Sequence, residues 1–229
     1  MKAVAMAGGL LACAALLTGC GLGNIGGPAN RDTVTYQVTE KVARVNVTSE
    51  SGDIVITETG GSAIRVVEKL RWSGEKPDAE HRVDGDTLVM TYNCPAKWDN
   101  CGVDYRVEIP RGLQVDLSSS SGDITLSSLT GPIDASTGSG DVNGAGLAGK
   151  KVFTETGSGD AELKYTVAPD RVEMKAGSGN ATLHVPDGSY DVKTKMKSGD
   201  AQVSVKNDAS SPRKVTMTTG SGDVYVMPG

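Results

Sequence analysis

The chain has 229 residues, of which 30 are Gly and only one is Phe, with aromatics at 4%. A core built from them is thin and aliphatic, which suits stacked strands better than packed helices. The net charge of −5 is mixed in sign along the chain, and no run of Lys and Arg stands out that could neutralise several phosphates at once, which argues against nucleic acid as a partner.

An apolar stretch from Ala3 to Leu17 follows Lys2 and is too short to span a bilayer and then stop, so residues 1–19 are expected to be a signal peptide. Its end, Leu17-Thr18-Gly19-Cys20, is similar to the bacterial lipobox. That resemblance implies cleavage after Gly19 and lipidation of Cys20; the plainer alternatives are an ordinary secretory signal or a buried apolar segment. Removing residues 1–19 takes away one Lys and no acid and leaves 22 basic against 28 acidic residues. Such a protein is held on the extracytoplasmic side of the cell membrane by its lipid and not by charge. Residues 20–33 read as the lipidated Cys and a flexible Gly-rich tether. Cys13 leaves with the signal, so Cys94 and Cys101 remain as a pair, expected to be a disulfide outside the cytoplasm. Their spacing excludes a catalytic Cys-x-x-Cys.

Residues 34–229 are expected to form one all-β domain, a β-solenoid of the parallel β-helix kind, irregular over 34–114 and regular over 115–229. Ser-Gly-Asp recurs with its acid at Asp53, Asp123, Asp141, Asp160, Asp200 and Asp223, and Asn180 ends a seventh, near-identical copy. From Gly122 onward the motif glycines are separated by 18, 19, 20, 20 and 23 residues, the spacing of a solenoid coil. Seven residues before each motif Gly stands Val45, Val115, Ile133, Val152, Val172, Val192 or Val215. After the motif come Ile54, Ile124, Val142, Ala161, Ala181, Ala201 and Val224, with a second apolar residue two further on everywhere except Gly144. Period two on both sides of a Gly predicts strand, corner, strand. Pro and Gly at Pro110, Gly112, Gly131, Gly149, Pro169 and Pro186 predict a second corner. About eight coils at the strand spacing make a rod about 40 Å long.

Between Gly52 and Gly122 the alternation continues without the period. Wider coils are expected there, one turning at Asp84-Gly85-Asp86, with two outgrowths, residues 74–82 and the Cys94–Cys101 loop. Trp72, Trp98, Tyr92 and Tyr105 gather in this part; Trp98 is the expected partner contact and Trp72 a core residue. The chain stops directly after the last coil, so its final strand is expected to be an open edge blunted by Pro228.

The Ser-Gly-Asp corners, the Val-Pro-Asp-Gly of Val185 to Gly188 and the lipobox together resemble the bacterial β-strand-repeat family DUF4097, whose members are described as adhesin-like. The resemblance covers about residues 34–229 and is tightest from Val115 to Val226. It implies an envelope protein more than it implies an activity.

Stacked in register, the six Asp could bridge a hard cation such as Ca²⁺. The simpler reading is that each Asp bonds the backbone of its own turn, with Gly supplying the conformation and Ser bonding along the column. No catalytic residue, cofactor or metal site is expected: His81 and His184 lie apart without Cys partners, and Gly-x-Ser-x-Gly does not occur. The expected function is a non-catalytic envelope lipoprotein acting as an adhesin-like binding module for an envelope protein or glycan. The alternatives are a sensor or scaffold contacting a membrane protein, and a carbohydrate-active β-helix enzyme.

Overall fold

A computed structural model describes residues 30–95 and 100–229. The expected signal peptide, the expected lipidation at Cys20 and the expected contact residue Trp98 lie outside the described residues. The strands are β1 (Asn30–Val38), β2 (Arg44–Ser51), β3 (Ile54–Glu58), β4 (Ile64–Trp72), β5 (Asp78–Asp84), β6 (Thr87–Asn93), β7 (Gly102–Ile109), β8 (Gln114–Ser121), β9 (Ile124–Ser127) and β10 (Ile133–Ser139). They continue with β11 (Val142–Leu147), β12 (Lys151–Ser158), β13 (Ala161–Tyr165), β14 (Arg171–Ser178), β15 (Ala181–Val185), β16 (Ser189–Ser198), β17 (Ala201–Val203), β18 (Lys206–Asn207), β19 (Lys214–Ser221) and β20 (Val224–Pro228). β1 begins inside the segment expected to be tether.

Two ten-stranded sheets face each other. Sheet A runs β1-β4-β7-β3-β9-β11-β13-β15-β20-β17, and sheet B runs β18-β16-β19-β14-β12-β10-β8-β2-β6-β5. Each coil contributes one strand to each sheet and turns between them at the Ser-Gly-Asp corner, so the molecule is the expected β-solenoid, flattened to two faces. Parallel pairing keeps like residues in register: Val115, Ile133, Val152, Val172, Val215 and Val192 line up across sheet B. The core is therefore a column of Val, Ile and Leu between the sheets, each side chain packed on its copies one strand spacing away.

Gly144, the one lapse in the inward pattern, has a local cause. β11 carries a bulge between Gly144 and Leu147, and Leu147 is fully buried beside Leu163. A Cβ on Gly144 would stand 2.7 Å from Leu163 and 2.8 Å from Leu147, so Leu147 fills the place the glycine vacates.

Three expectations are corrected. First, β1, β4 and β5 are not degenerate coils, since β1–β4, β4–β7 and β5–β6 all pair antiparallel. They extend the column as a cap in which Asp84-Gly85-Asp86 is a hairpin turn and Asp78–Arg82 belongs to a strand, not an outgrowth. Only β6 and β7 form a coil here, stacked on β2 and β3.

Second, the last coil in sequence is not the last in space. β19 and β20 insert between β14/β15 and β16/β17, so Pro228 pairs with Val185 inside the stack, and the open edge belongs to Ser189–Val203. Lysines and a side-chain cap guard that edge. Lys193, Lys195 and Lys197 alternate along β16, while Asn207 uses its side-chain amide as a strand would, accepting from the Val192 N–H at 3.0 Å and donating to the Val192 carbonyl at 3.3 Å.

Third, of the aromatics gathered in this part it is Tyr92 and Tyr105, and not Trp72, that are buried in the core. Trp72 only packs against the core margin, with the Lys76 ammonium 5.7 Å from its ring centre.

Candidate functional site

The corner Asp residues do not bond their own turns. Each Oδ1 accepts the Asp N–H of the neighbouring coil: Asp123 donates to Asp53 at 3.0 Å, Asp141 to Asp123 at 2.9 Å, Asp160 to Asp141 at 2.8 Å and Asn180 to Asp160 at 2.7 Å. The ladder continues through Asp223 onto Asn180 and Asp200 onto Asp223, both at 2.9 Å. At its other end Asp53 donates to Asp104 at 3.1 Å, and Asp104 is ion-paired with Arg71, which neutralises the first rung. Up to Asp200, the terminal rung, one oxygen of each rung is thus committed to a bond that pins the coils, charge-assisted wherever the rung is Asp. Donation from Asp200 and from the Tyr225 hydroxyl holds the Asp223 carboxyl below the usual carboxylate range.

The motif Gly explains why the ladder is so regular. Gly159 has φ +144°, and a Cβ there would overlap the carbonyl of Gly140 in the next coil, so only Gly allows the corners to nest this closely. The corner carbonyls turn inward, and everywhere except at Ala176 and Met196 a buried hydroxyl three residues before the motif Gly donates to one of them. Thr137 donates to Gly122 O at 2.9 Å, Thr156 to Gly140 O at 2.8 Å and Thr219 to Gly179 O at 3.1 Å. This hydroxyl column, and not the motif Ser, carries the side-chain bonding along the stack. Period-two reading missed it because Thr at an inward position passes for an ordinary β-branched core residue.

At the opposite corner, buried Glu58 accepts from Thr130 N–H at 2.8 Å and Gly112 N–H at 3.2 Å, tying three coils together. No signal in the sequence separates it from the solvated acids. Glu68 is also buried and accepts from the Tyr36 hydroxyl at 2.7 Å. Burial, with the Glu68 carboxylate beside it, pushes the Tyr36 hydroxyl far up.

Cys94 and Cys101 form the expected disulfide, with Cα atoms 6.1 Å apart. The bridge closes the loop that replaces the Ser-Gly-Asp corner in the β6–β7 coil. Asp104 takes the position of the corner Asp, and the Tyr92 hydroxyl donates to the Ser51 carbonyl at 2.9 Å where the β2–β6 ladder has ended. Among the described residues, no group of three His, Cys, Asp or Glu is placed to hold a metal. His81 stacks on Tyr36 with ring centres 3.9 Å apart, and His184 stands 3.5 Å from Glu162 on the outer face of sheet A.

The outer face of sheet B is divided by charge. Over β2, β8 and β10 it presents Glu50, Asp116 and Asp134 against one cation, Arg44, paired with Asp116 at 3.2 Å, and burial together with Asp116 and Glu155 raises the Asp134 carboxyl. Over β12, β14, β19 and β16 it presents Lys151, Arg171 and Lys214 in one row, and Lys175 and Lys195 in another. A cleft of about 310 Å³ opens here, lined by Arg171, Glu173, Asp191, Lys193, Lys214 and Thr216. Asp191 is buried against Lys214 at 2.8 Å and Lys193 at 3.8 Å, and the Lys214 bond lowers its carboxyl. The sequence shows no cationic run because these residues come from four coils. Register gathers them.

The chain matches the family described as Toastrack DUF4097 over residues 104–227. No curated protein matches it. Among solved structures it is similar to a candidate cell adhesion protein from Clostridium sporogenes, with 13% identity, TM-score 0.53, and 87% of this chain and 100% of that chain covered. It is also similar to a candidate adhesin from Bacteroides fragilis, at 13% identity, TM-score 0.42, and 85% and 97% coverage. A candidate lipid-binding protein from Parabacteroides distasonis gives 10% identity, TM-score 0.36, and 89% and 98% coverage. With more than half of its length matched, the chain belongs to the DUF4097, or Toastrack, family.

Proposed function

We infer that the protein is a non-catalytic, adhesin-like binding module of the cell envelope, exported by residues 1–19 and held at the extracytoplasmic face through lipid on Cys20. One observation carries the binding reading: the recurring polar chemistry of the repeat is consumed by the fold. Corner Asp, motif Gly and the buried hydroxyls bond one another, so the broad outer faces of the sheets are left for recognition. In a bacterial host, Cys20→Ser is expected to abolish labelling by radiolabelled palmitate and to move the protein from the membrane to the soluble fraction. Persistent labelling would remove the anchor. On an array of envelope glycans, retention without release of oligosaccharide is expected, and release of oligosaccharide would favour the enzyme.

A second reading, contact with a membrane protein, draws on the disulfide loop. Gly102 pairs with Arg71, next to the Asn30–Trp72 pair that begins β1, so the loop stands at the end of the rod where the tether enters. A photo-crosslinking residue in place of Trp98 that captures a membrane protein in living cells would support it, and crosslinks only to solvent or lipid would count against it.

A further inference from the structure

We propose that the cationic half of sheet B's outer face is a binding site for a linear acidic polysaccharide, a chain carrying carboxylates along its length. The proposal rests on the reading of the protein as an exported binding module and names its ligand class. Within a chain of net charge −5, strands β12, β14, β19 and β16 turn seven cations against three acids to one face. Edge protection accounts for the lysines of β16 alone. Lys151, Arg171, Lys175 and Lys214 stand on interior strands, where no edge needs guarding.

Internal pairing leaves much of this charge unspent. Lys175 is paired with Glu173 at 3.0 Å, and Lys214 and Lys193 share Asp191. Among the described residues, Lys151, Arg171, Lys195 and Lys197 form no ion pair. The Asp191 carboxylate fixes the Lys214 ammonium at the floor of the cleft, while Arg171 opens beside it as a planar fork suited to a carboxylate. The Thr216 hydroxyl in the cleft and that of Thr218 along the strand add donors and acceptors for sugar hydroxyls.

Geometry favours an extended polymer over other polyanions. Gly157, Gly177 and Gly220 stack as a row with no side chains, so the surface beside the cations is flat. The cations repeat at the strand spacing of about 4.8 Å along the rod, a regular row that an extended chain with evenly spaced carboxylates can follow. The three interspersed acids dilute the charge below what closely spaced phosphates call for. The face also lies at the far end of the rod from β1, where the chain leaves toward its anchor, and so points away from the lipid surface that holds the protein.

The test uses the mature chain from residue 20 with Cys20→Ser, an octamer of galacturonic acid, a neutral dextran oligomer, vesicles of phosphatidylcholine and phosphatidylglycerol, and a DNA duplex. A triple variant, Lys151→Gln, Arg171→Gln and Lys195→Gln, removes exposed cations that form no ion pair among the described residues, two of them on interior strands. Its control, Lys41→Gln, Lys69→Gln and Arg111→Gln, changes net charge equally elsewhere. Expected is salt-sensitive binding of the octamer, weakened about tenfold by the first triple and less than twofold by the control, with no binding of dextran. The single variant Arg171→Lys, which keeps the charge and loses the fork, is expected to weaken binding about threefold. Octamer binding that ignores the first triple, or tighter binding to the vesicles or to a DNA duplex, would overturn the proposal. If glycan-array retention then persists equally in both triples, the binding-module reading stands while this site falls.

Discussion

Replacing Gly159 by Ala tests whether the corner glycines set the spacing of the solenoid. At φ +144° an L-residue is strained by about 1–3 kcal/mol. The new Cβ would also overlap the Gly140 carbonyl and approach Asp141 Oδ1 to 2.8 Å, so the neighbouring coil must retreat. Retreat weakens two bonds, Thr156 to Gly140 O and Asp160 N–H to Asp141 Oδ1, both 2.8 Å long. At about 1 kcal/mol each, the expected loss is about 4 kcal/mol. Gly85 is the internal control: its φ is +62°, but nothing lies within 4 Å of its Cβ position, so Gly85→Ala costs only about 1 kcal/mol. Urea unfolding followed by circular dichroism gives both values, and hydrogen exchange locates the weakened coils. Equal losses for the two variants would refute the argument that corner nesting, and not backbone conformation alone, demands glycine.

Thr156→Val keeps the volume and deletes the donor to Gly140 O, so a loss of about 1–2 kcal/mol is expected in the same unfolding assay. Cys94→Ser with Cys101→Ser opens a short loop and is expected to cost about 2–3 kcal/mol, with exchange rising in β6 and β7 and little change beyond β8. Asp134 sits between Asp116 and Glu155, and its raised carboxyl means that ionisation opposes folding and stability is gained as pH falls. Asp134→Asn is therefore expected to stabilise the protein at pH 7 by roughly 0.5 kcal/mol, an advantage that disappears in unfolding curves at pH 3. Asp191 has the opposite sign. Its lowered carboxyl contributes stability at neutral pH that is lost as pH falls from the unfolded value near 3.9 through the folded one, so Asp191→Asn should flatten the acid limb. Calorimetric titration with Ca²⁺ is expected to show neither uptake nor a melting shift, and either would reopen the ladder as a metal site.

Sequence carried the coil because the coil is local: Val152, Thr154, the Gly159 corner, Ala161 and Leu163 spell strand, corner and strand within one repeat. What it could not carry is anything that depends on which coil lies beside which. The Asp141 carboxylate accepts from the Asp160 N–H and not from its own turn because the nearest unsatisfied N–H belongs to the next layer. Leu147 could not be recognised as the substitute for Gly144 without the bulge that turns it inward. Antiparallel pairing of β1 and β4 was equally hidden, since period-two alternation is the same for either strand direction. The basic face followed suit: Lys151, Arg171 and Lys214 are up to 63 positions apart in the chain and adjacent in the sheet.

The displaced last coil shows how composition decides that order. Coil 214–228 turns Val215, Met217, Val224 and Val226 inward, all fully or nearly fully buried, whereas coil 189–203 offers Thr194, Met196, Ala201 and Val203 beyond Val192, none of them buried. In sequence order the apolar-rich coil would form the open end and the poorer one would be sandwiched. Exchanging them covers Met217 in place of Thr194 and Val224 in place of Ala201, worth roughly 1 kcal/mol for each pair, against a return loop of residues 204–213 that adds its own contacts, Asn207 to Val192 and the Asp208 N–H to the Tyr190 carbonyl. The same exchange sets Lys214 between Arg171 and Asp191. A double variant that reverses the apolar balance, Met217→Thr with Thr194→Met, is therefore expected to lose stability and to raise hydrogen exchange in β19 above that in β16. Unchanged protection of β19 would mean that the return loop, and not the core residues, holds the order of the coils.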